Sequence, residues 1–131
     1  MRDATTSYAL ILLAHGSSDP NWRAPFENFH AALATRLDTP LRLAYMELCE
    51  PSLESTVAEL AEAGVERADI LPLFFAAGRH LRKDVPGQVD ALAQEVPGVR
   101  LTLLPPVGEH PAFVEALATV IAEQAGESHE P

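Results

Sequence analysis

The stretch Tyr8-Ala-Leu-Ile-Leu-Leu-Ala14, running directly into His15-Gly-Ser-Ser-Asp-Pro20, decides how the rest of the chain is read. An unbroken apolar run of this length, closed by turn residues, predicts a strand covered on both faces. A second such run, Ile70-Leu-Pro-Leu-Phe-Phe75, leads into Ala76-Ala-Gly-Arg-His80. Each run is thus followed by a histidine. In an open α/β sheet, ligands sit outside the carboxyl ends of the strands, where neighbouring crossovers part to opposite faces. Imidazole is a common ligand for borderline divalent metals. Two of them at one mouth suggest metal handling.

Between and beyond these runs the pattern alternates. Phe26, Phe29, Leu33 and Leu37 recur at helical spacing and predict an amphipathic helix over 23–38, ended by Thr39-Pro40. Residues 41–48 read as a second strand. Pro51-Ser52 opens a helix with Leu53, Val57, Leu60 and Ala61 on one face and Gly64 past its end. The third strand covers 68–75. Asp84-Val85-Pro86 begins a helix that turns Val85, Val89, Leu92 and Val96 inward. A fourth strand follows at 99–104. Pro111 starts a last helix with Phe113, Leu117, Val120 and Ile121 on its buried side. Strands alternating with helices imply crossovers and a parallel sheet. The expected fold class is α/β: one domain over 1–125, a four-stranded parallel sheet in the order 2-1-3-4, with 126–131 a polar, disordered tail. In that order His15 and His80 face one crevice.

Composition narrows the function classes. Nine Lys and Arg against 19 Asp and Glu leave a net charge of −10, unlike a nucleic-acid surface, which needs clustered cations. No apolar run reaches the ~20 residues that span a bilayer. The polar opening Met1-Arg-Asp-Ala-Thr-Thr-Ser7 does not read as a signal peptide. The single cysteine, Cys49, excludes an intramolecular disulfide and fits a reducing, cytoplasmic setting.

The loop at His15 is no Walker loop, dinucleotide fingerprint or nucleophile elbow, so no nucleotide is expected. Ser17, Ser18 and Asp19 can cap the next helix. His80 lies in Gly78-Arg-His-Leu-Arg-Lys-Asp84, a strongly basic patch in an acidic protein. Basic groups near a helix N-terminus oppose its dipole, and a bound polyanion would account for Arg79, Arg82 and Lys83. Glu47 closes the second strand; beside a metal-binding imidazole a carboxylate orients the ring or takes a proton. A capping role ahead of Pro51 suits Glu50 better. His30 reads as a packing residue, His110 as structural or at the rim, and His129 as part of the tail. Cys49 is more often packing than ligand, and Tyr45 and Met46 fit the core as well as a pocket wall.

Three segments carry a resemblance: Leu12-Leu-Ala-His-Gly-Ser-Ser-Asp-Pro-Asn-Trp22 with Pro25-Phe26-Glu27; Ala44-Tyr-Met-Glu-Leu-Cys-Glu-Pro-Ser52; and Pro72-Leu-Phe-Phe-Ala-Ala-Gly-Arg-His-Leu-Arg-Lys-Asp-Val-Pro86. Together they resemble the sirohydrochlorin chelatases of the CbiX/SirB type, class II metal chelatases. The resemblance implies a flavodoxin-like lobe that inserts Co²⁺, Fe²⁺ or Ni²⁺, as substrate and without nucleotide, into sirohydrochlorin, an octacarboxylate tetrapyrrole. Such a lyase serves cobalamin or sirohaem biosynthesis. His15 and His80 match the family's metal-binding, catalytic histidines, and Glu47 falls where relatives carry an acid. Ser17, Arg79, Arg82 and Lys83 become candidate contacts for the substrate's carboxylates. Many relatives have a basic residue where Ser18 stands, which leaves the second patch as the stronger carboxylate site. Short members form homodimers, so a homodimer is implied. A metal or tetrapyrrole carrier without turnover is the alternative reading of the same ligands.

Overall fold

The computed structural model describes residues 7–76 and 78–126, the side chains of residues 79–81 excepted. Its strands are β1 (Tyr8–Ala14), β2 (Leu41–Tyr45), β3 (Arg67–Pro72) and β4 (Arg100–Leu103). They pair in parallel in the order β2-β1-β3-β4, as the alternation of runs predicts. Between them lie α1 (Pro20–Ala34), α2 (Leu53–Glu62) and α3 (Arg79–Glu95); a short 3₁₀ turn at Val107–Glu109 precedes α4 (Pro111–Gln124). The expected tail falls outside the described residues, Gly126 apart.

Successive side chains of a strand point to opposite faces, and two cores result. Ala9, Ile11 and Leu13 of β1 pack with Ile70 under Leu53, Val57 and Leu60 of α2 and Val85, Val89 and Leu92 of α3. Leu12, Ala14, Leu41, Leu43 and Tyr45 form the opposite face, against Trp22, Phe26 and Leu33 of α1. At the amino end of the sheet Tyr8 donates to Asp69 at 2.8 Å, with the Arg67 guanidinium over its ring. Burial, then the Asp69 carboxylate, pushes its pKa up to about 12.

Four expectations need correction. First, α1 begins at Pro20, because Asp19 accepts from Asn21 N–H as N-cap and proline suits the first helical position. It ends at Ala34, where the Thr35 hydroxyl bonds back to Ala32 O at 2.9 Å. Leu37 is therefore outside the helix and exposed, and Phe29 is exposed too. Second, β2 and β3 stop at Tyr45 and Pro72, three residues short, and the remaining apolar residues turn across the sheet's carboxyl edge.

Third, α3 starts at Arg79, not at Asp84, and takes Pro86 into its interior. Arg82 and Lys83 thus sit inside the helix, while Val85, Val89 and Leu92 point inward as expected. Gly78 supplies no side-chain cap and the first turn has no acid, so nothing local marks this start. Fourth, α4 buries none of its residues. The apolar stripe expected against the sheet faces outward, with Val114, Leu117, Val120 and Ile121 exposed by 50%, 37%, 51% and 58%.

Candidate active site at the carboxyl edge of the sheet

The β1–β2 ladder sets the geometry. Ala14 is in register with Tyr45. Pairing continues past both strands, as Met46 N–H donates to Ala14 O at 3.0 Å and Glu47 N–H to His15 O at 3.3 Å. The two side chains meet above it, His15 Nε2 lying 3.3 Å from Glu47 Oε2, each about half exposed. A proton on Nε2, the nitrogen facing the carboxylate, would leave Nδ1 its lone pair. That is the arrangement in which a carboxylate orients an imidazole for a metal on its other nitrogen. Among the described residues no third His, Cys, Asp or Glu joins the pair.

Gly16 makes this closeness possible. Its φ is +110°, and a Cβ there would stand 1.9 Å from the Glu47 carbonyl oxygen. Gly16→Ala should therefore lower stability by roughly 2–4 kcal/mol and separate the two loops. Denaturant unfolding measures the first, and loss of the His15–Glu47 coupling by NMR measures the second. An alanine variant as stable as the parent would show that the loops yield freely.

On the β3 side Phe74 stands edge-on to His15, ring centroids 6.4 Å apart. Behind it opens a cavity of about 300 Å³ lined by Phe74, Arg82, Val85, Leu103, Leu104 and Pro106. The cavity adjoins the pair through Phe74 rather than containing it. Apolar walls with one guanidinium at the rim suit a flat apolar ring edge bearing a carboxylate. Lys83 is exposed on the same helix. His80 is the second residue of α3, on the connection that leaves β3; its side chain and that of Arg79 lie outside the described residues.

Other candidates have local partners. Ser17 accepts from Asp19 N–H with its hydroxyl and from Arg23 with its carbonyl, which braces the loop. Ser52 is the N-cap of α2, accepting from Ser55 N–H, and Glu50 supports it by accepting from Ser52 N–H and the Ser55 hydroxyl. His30 Nε2 donates to Leu41 O at 2.8 Å, and His110 Nδ1 accepts from Ala112 N–H as the N-cap of α4. Tyr45 is fully buried beside Trp22. Its hydroxyl has no partner at hydrogen-bonding geometry, and burial, then nearby Glu27, raises its pKa. Phe74, Phe75 and Leu48 were missed as mouth residues: inside apolar runs they read as strand, and only the early stop of β2 and β3 sets them at the edge.

A parallel sheet ordered β2-β1-β3-β4, with an imidazole and a carboxylate meeting at its carboxyl edge beside an apolar pocket, is the build of an α/β chelatase lobe. The CbiX family model matches residues 9–124, and the chain belongs to that family. A sirohydrochlorin cobaltochelatase of Sulfurisphaera tokodaii is 28% identical over 116 residues, covering 88% of this chain and 92% of the relative. The crystal structure of a CbiX protein from Marinobacter aquaeolei VT8 superposes with a TM-score of 0.83 at 42% identity, over 92% of this chain and 98% of that one. SirB from Bacillus subtilis with Fe³⁺ has the same fold, with a TM-score of 0.76 at 21% identity; the match takes 90% of this chain but 47% of SirB.

Proposed function

We propose that this chain is a sirohydrochlorin chelatase that inserts Co²⁺, Fe²⁺ or Ni²⁺ into the macrocycle, working in the cytoplasm as a homodimer. The observation that carries the reading is the His15–Glu47 pair, 3.3 Å apart at the sheet's carboxyl edge in a chain of the CbiX family. Insertion replaces two pyrrole N–H protons by one divalent ion, so a site must offer an exchangeable metal ligand and a proton acceptor. His15 Nδ1 supplies the first, with His80 as the second imidazole of the family pattern. Glu47 steadies the His15 ring and takes one proton as it leaves the macrocycle, the second passing to water at the open mouth. Two imidazoles leave coordination positions open, as transfer onward requires. Arg82, with Arg79 and Lys83 on the same turn and Ser17 across the mouth, meets the substrate carboxylates.

What one lobe lacks supports the homodimer reading. Phe113, Val114, Leu117, Val120 and Ile121 fall within about a third of the α4 circumference at 3.6 residues per turn; in this stripe Phe113 is half-buried, and the other four are exposed. It continues through the Phe75–Phe113 contact at 5.5 Å into a groove of about 370 Å³ that includes Phe29. An apolar surface this extended on a small domain marks an interface. SirB, twice as long, holds a second half beyond the match; a second copy of this chain can take that place. The 300 Å³ cavity lies at the lower end of small-ligand sites, so an eight-armed tetrapyrrole needs a second wall.

The test is anaerobic mixing of protein, sirohydrochlorin and Co²⁺, Fe²⁺ or Ni²⁺, followed by the absorption change of the macrocycle. A rate well above the protein-free reaction is expected with at least one metal. Rates equal to the spontaneous ones for all three, with the tetrapyrrole nevertheless bound, would make the chain a carrier.

A further inference from the structure

Leu48 is the one described non-glycine residue with a left-handed backbone, at φ +73°, and its side chain is 68% exposed. The first costs stability and the second contributes none. A side chain with a Cβ in this region pays a steric penalty that glycine avoids and asparagine relieves by local hydrogen bonding. A leucine left in solvent gains nothing from burial. A strained, unburied apolar residue persists where function uses it. Its position says which function. Leu48 follows Glu47 directly, in the segment that Met46 N–H and Glu47 N–H pin to Ala14 and His15, so its backbone is fixed relative to the metal-handling pair. Phe74 flanks His15 from the β3 side; Leu48 arises from the β2 side, and His15 lies on β1 between them.

We infer that Leu48 is a substrate-contact residue, whose isobutyl group rests on the apolar face of the tetrapyrrole and holds it over His15 and Glu47. The inference builds on the sirohydrochlorin reading above. Chelation itself asks nothing of an alkyl group; its contribution is affinity and registry. Leu48 and Phe74 together would seat the macrocycle between two apolar lips while Arg82 meets its periphery.

The experiment is a metal-free absorption titration of sirohydrochlorin into the full chain and into Leu48→Gly, Leu48→Asn and Leu48→Met. Glycine and asparagine accept the backbone, so both variants fold, and the asparagine variant melts at least as high as the parent. Their Kd for sirohydrochlorin should rise about tenfold, the equivalent of ~1.4 kcal/mol. Methionine, similar in volume, should restore most of the affinity. Unchanged affinity in both the glycine and asparagine variants overturns the inference, and so does a change in native mass without a change in affinity, which would assign Leu48 to the subunit interface. A parent chain that binds sirohydrochlorin but never inserts metal removes the chelatase reading and leaves this one standing. A parent that does not bind it at all removes both.

Discussion

His15→Ala should lower protein-dependent insertion of Co²⁺ into sirohydrochlorin at least about a hundredfold, since losing a metal ligand costs no less than the upper end of losing its outer partner, while the melting temperature stays within about a degree. The side chain is half exposed and belongs to neither core, so its loss costs the fold little. Glu47→Gln keeps the size and loses the charge, and the expected loss is roughly 10- to 100-fold, as for outer partners of metal-binding histidines. The discriminating measurement is the double variant. If Glu47 acts by orienting His15, adding Glu47→Gln to His15→Ala costs almost nothing further, since groups that act as a unit lose their effect together. Multiplicative losses would separate the two residues into independent roles. Full activity in His15→Ala would end the assignment.

How far the sequence foretells this site depends on which forces act locally. The unbroken runs at Tyr8–Ala14 and at residues 70–75 point to the two central strands, although only the first is a strand throughout: β3 takes in Arg67 and Asp69 and stops at Pro72. Once the order β2-β1-β3-β4 follows, residues just past β1 and β2 must share one edge, and the His15–Glu47 contact comes with it. The bracing of that contact by Gly16 is not legible, since a glycine in a loop does not announce which carbonyl it approaches. Nor is the start of α3. Proline at position 86 resembles a first-turn residue, and only burial of Val85, Val89 and Leu92 on the sheet compensates an uncapped entry at Arg79 and a proline inside the helix. The stripe on α4 is the sharpest case. Periodicity reports that a face must be covered, not by what, and the sheet of the same lobe does not cover it.

That uncovered stripe sets the second large expectation. If the proposed homodimer forms through this stripe, Leu117→Glu combined with Ile121→Glu should leave single chains in light scattering and remove insertion activity with the pairing. In an isologous pair each substitution appears twice, and a carboxylate forced into an apolar contact costs at least about 3 kcal/mol per chain. The combined ~6 kcal/mol raises Kd by about four decades, enough to dissociate a dimer held by ordinary affinity. Within a single lobe the same residues are exposed by 37% and 58%, so the variant should keep its helical circular dichroism and its cooperative melting. This sets it apart from a core substitution, which would unfold the chain. Mixing the charged variant with His15→Ala tests whether the copies share work. Restored activity requires heterodimers in which one chain supplies the intact edge and its partner the second wall. A monomeric parent at working concentration, or a charged variant that stays dimeric and active, would place the tetrapyrrole on one lobe alone and leave α4 without a role in catalysis.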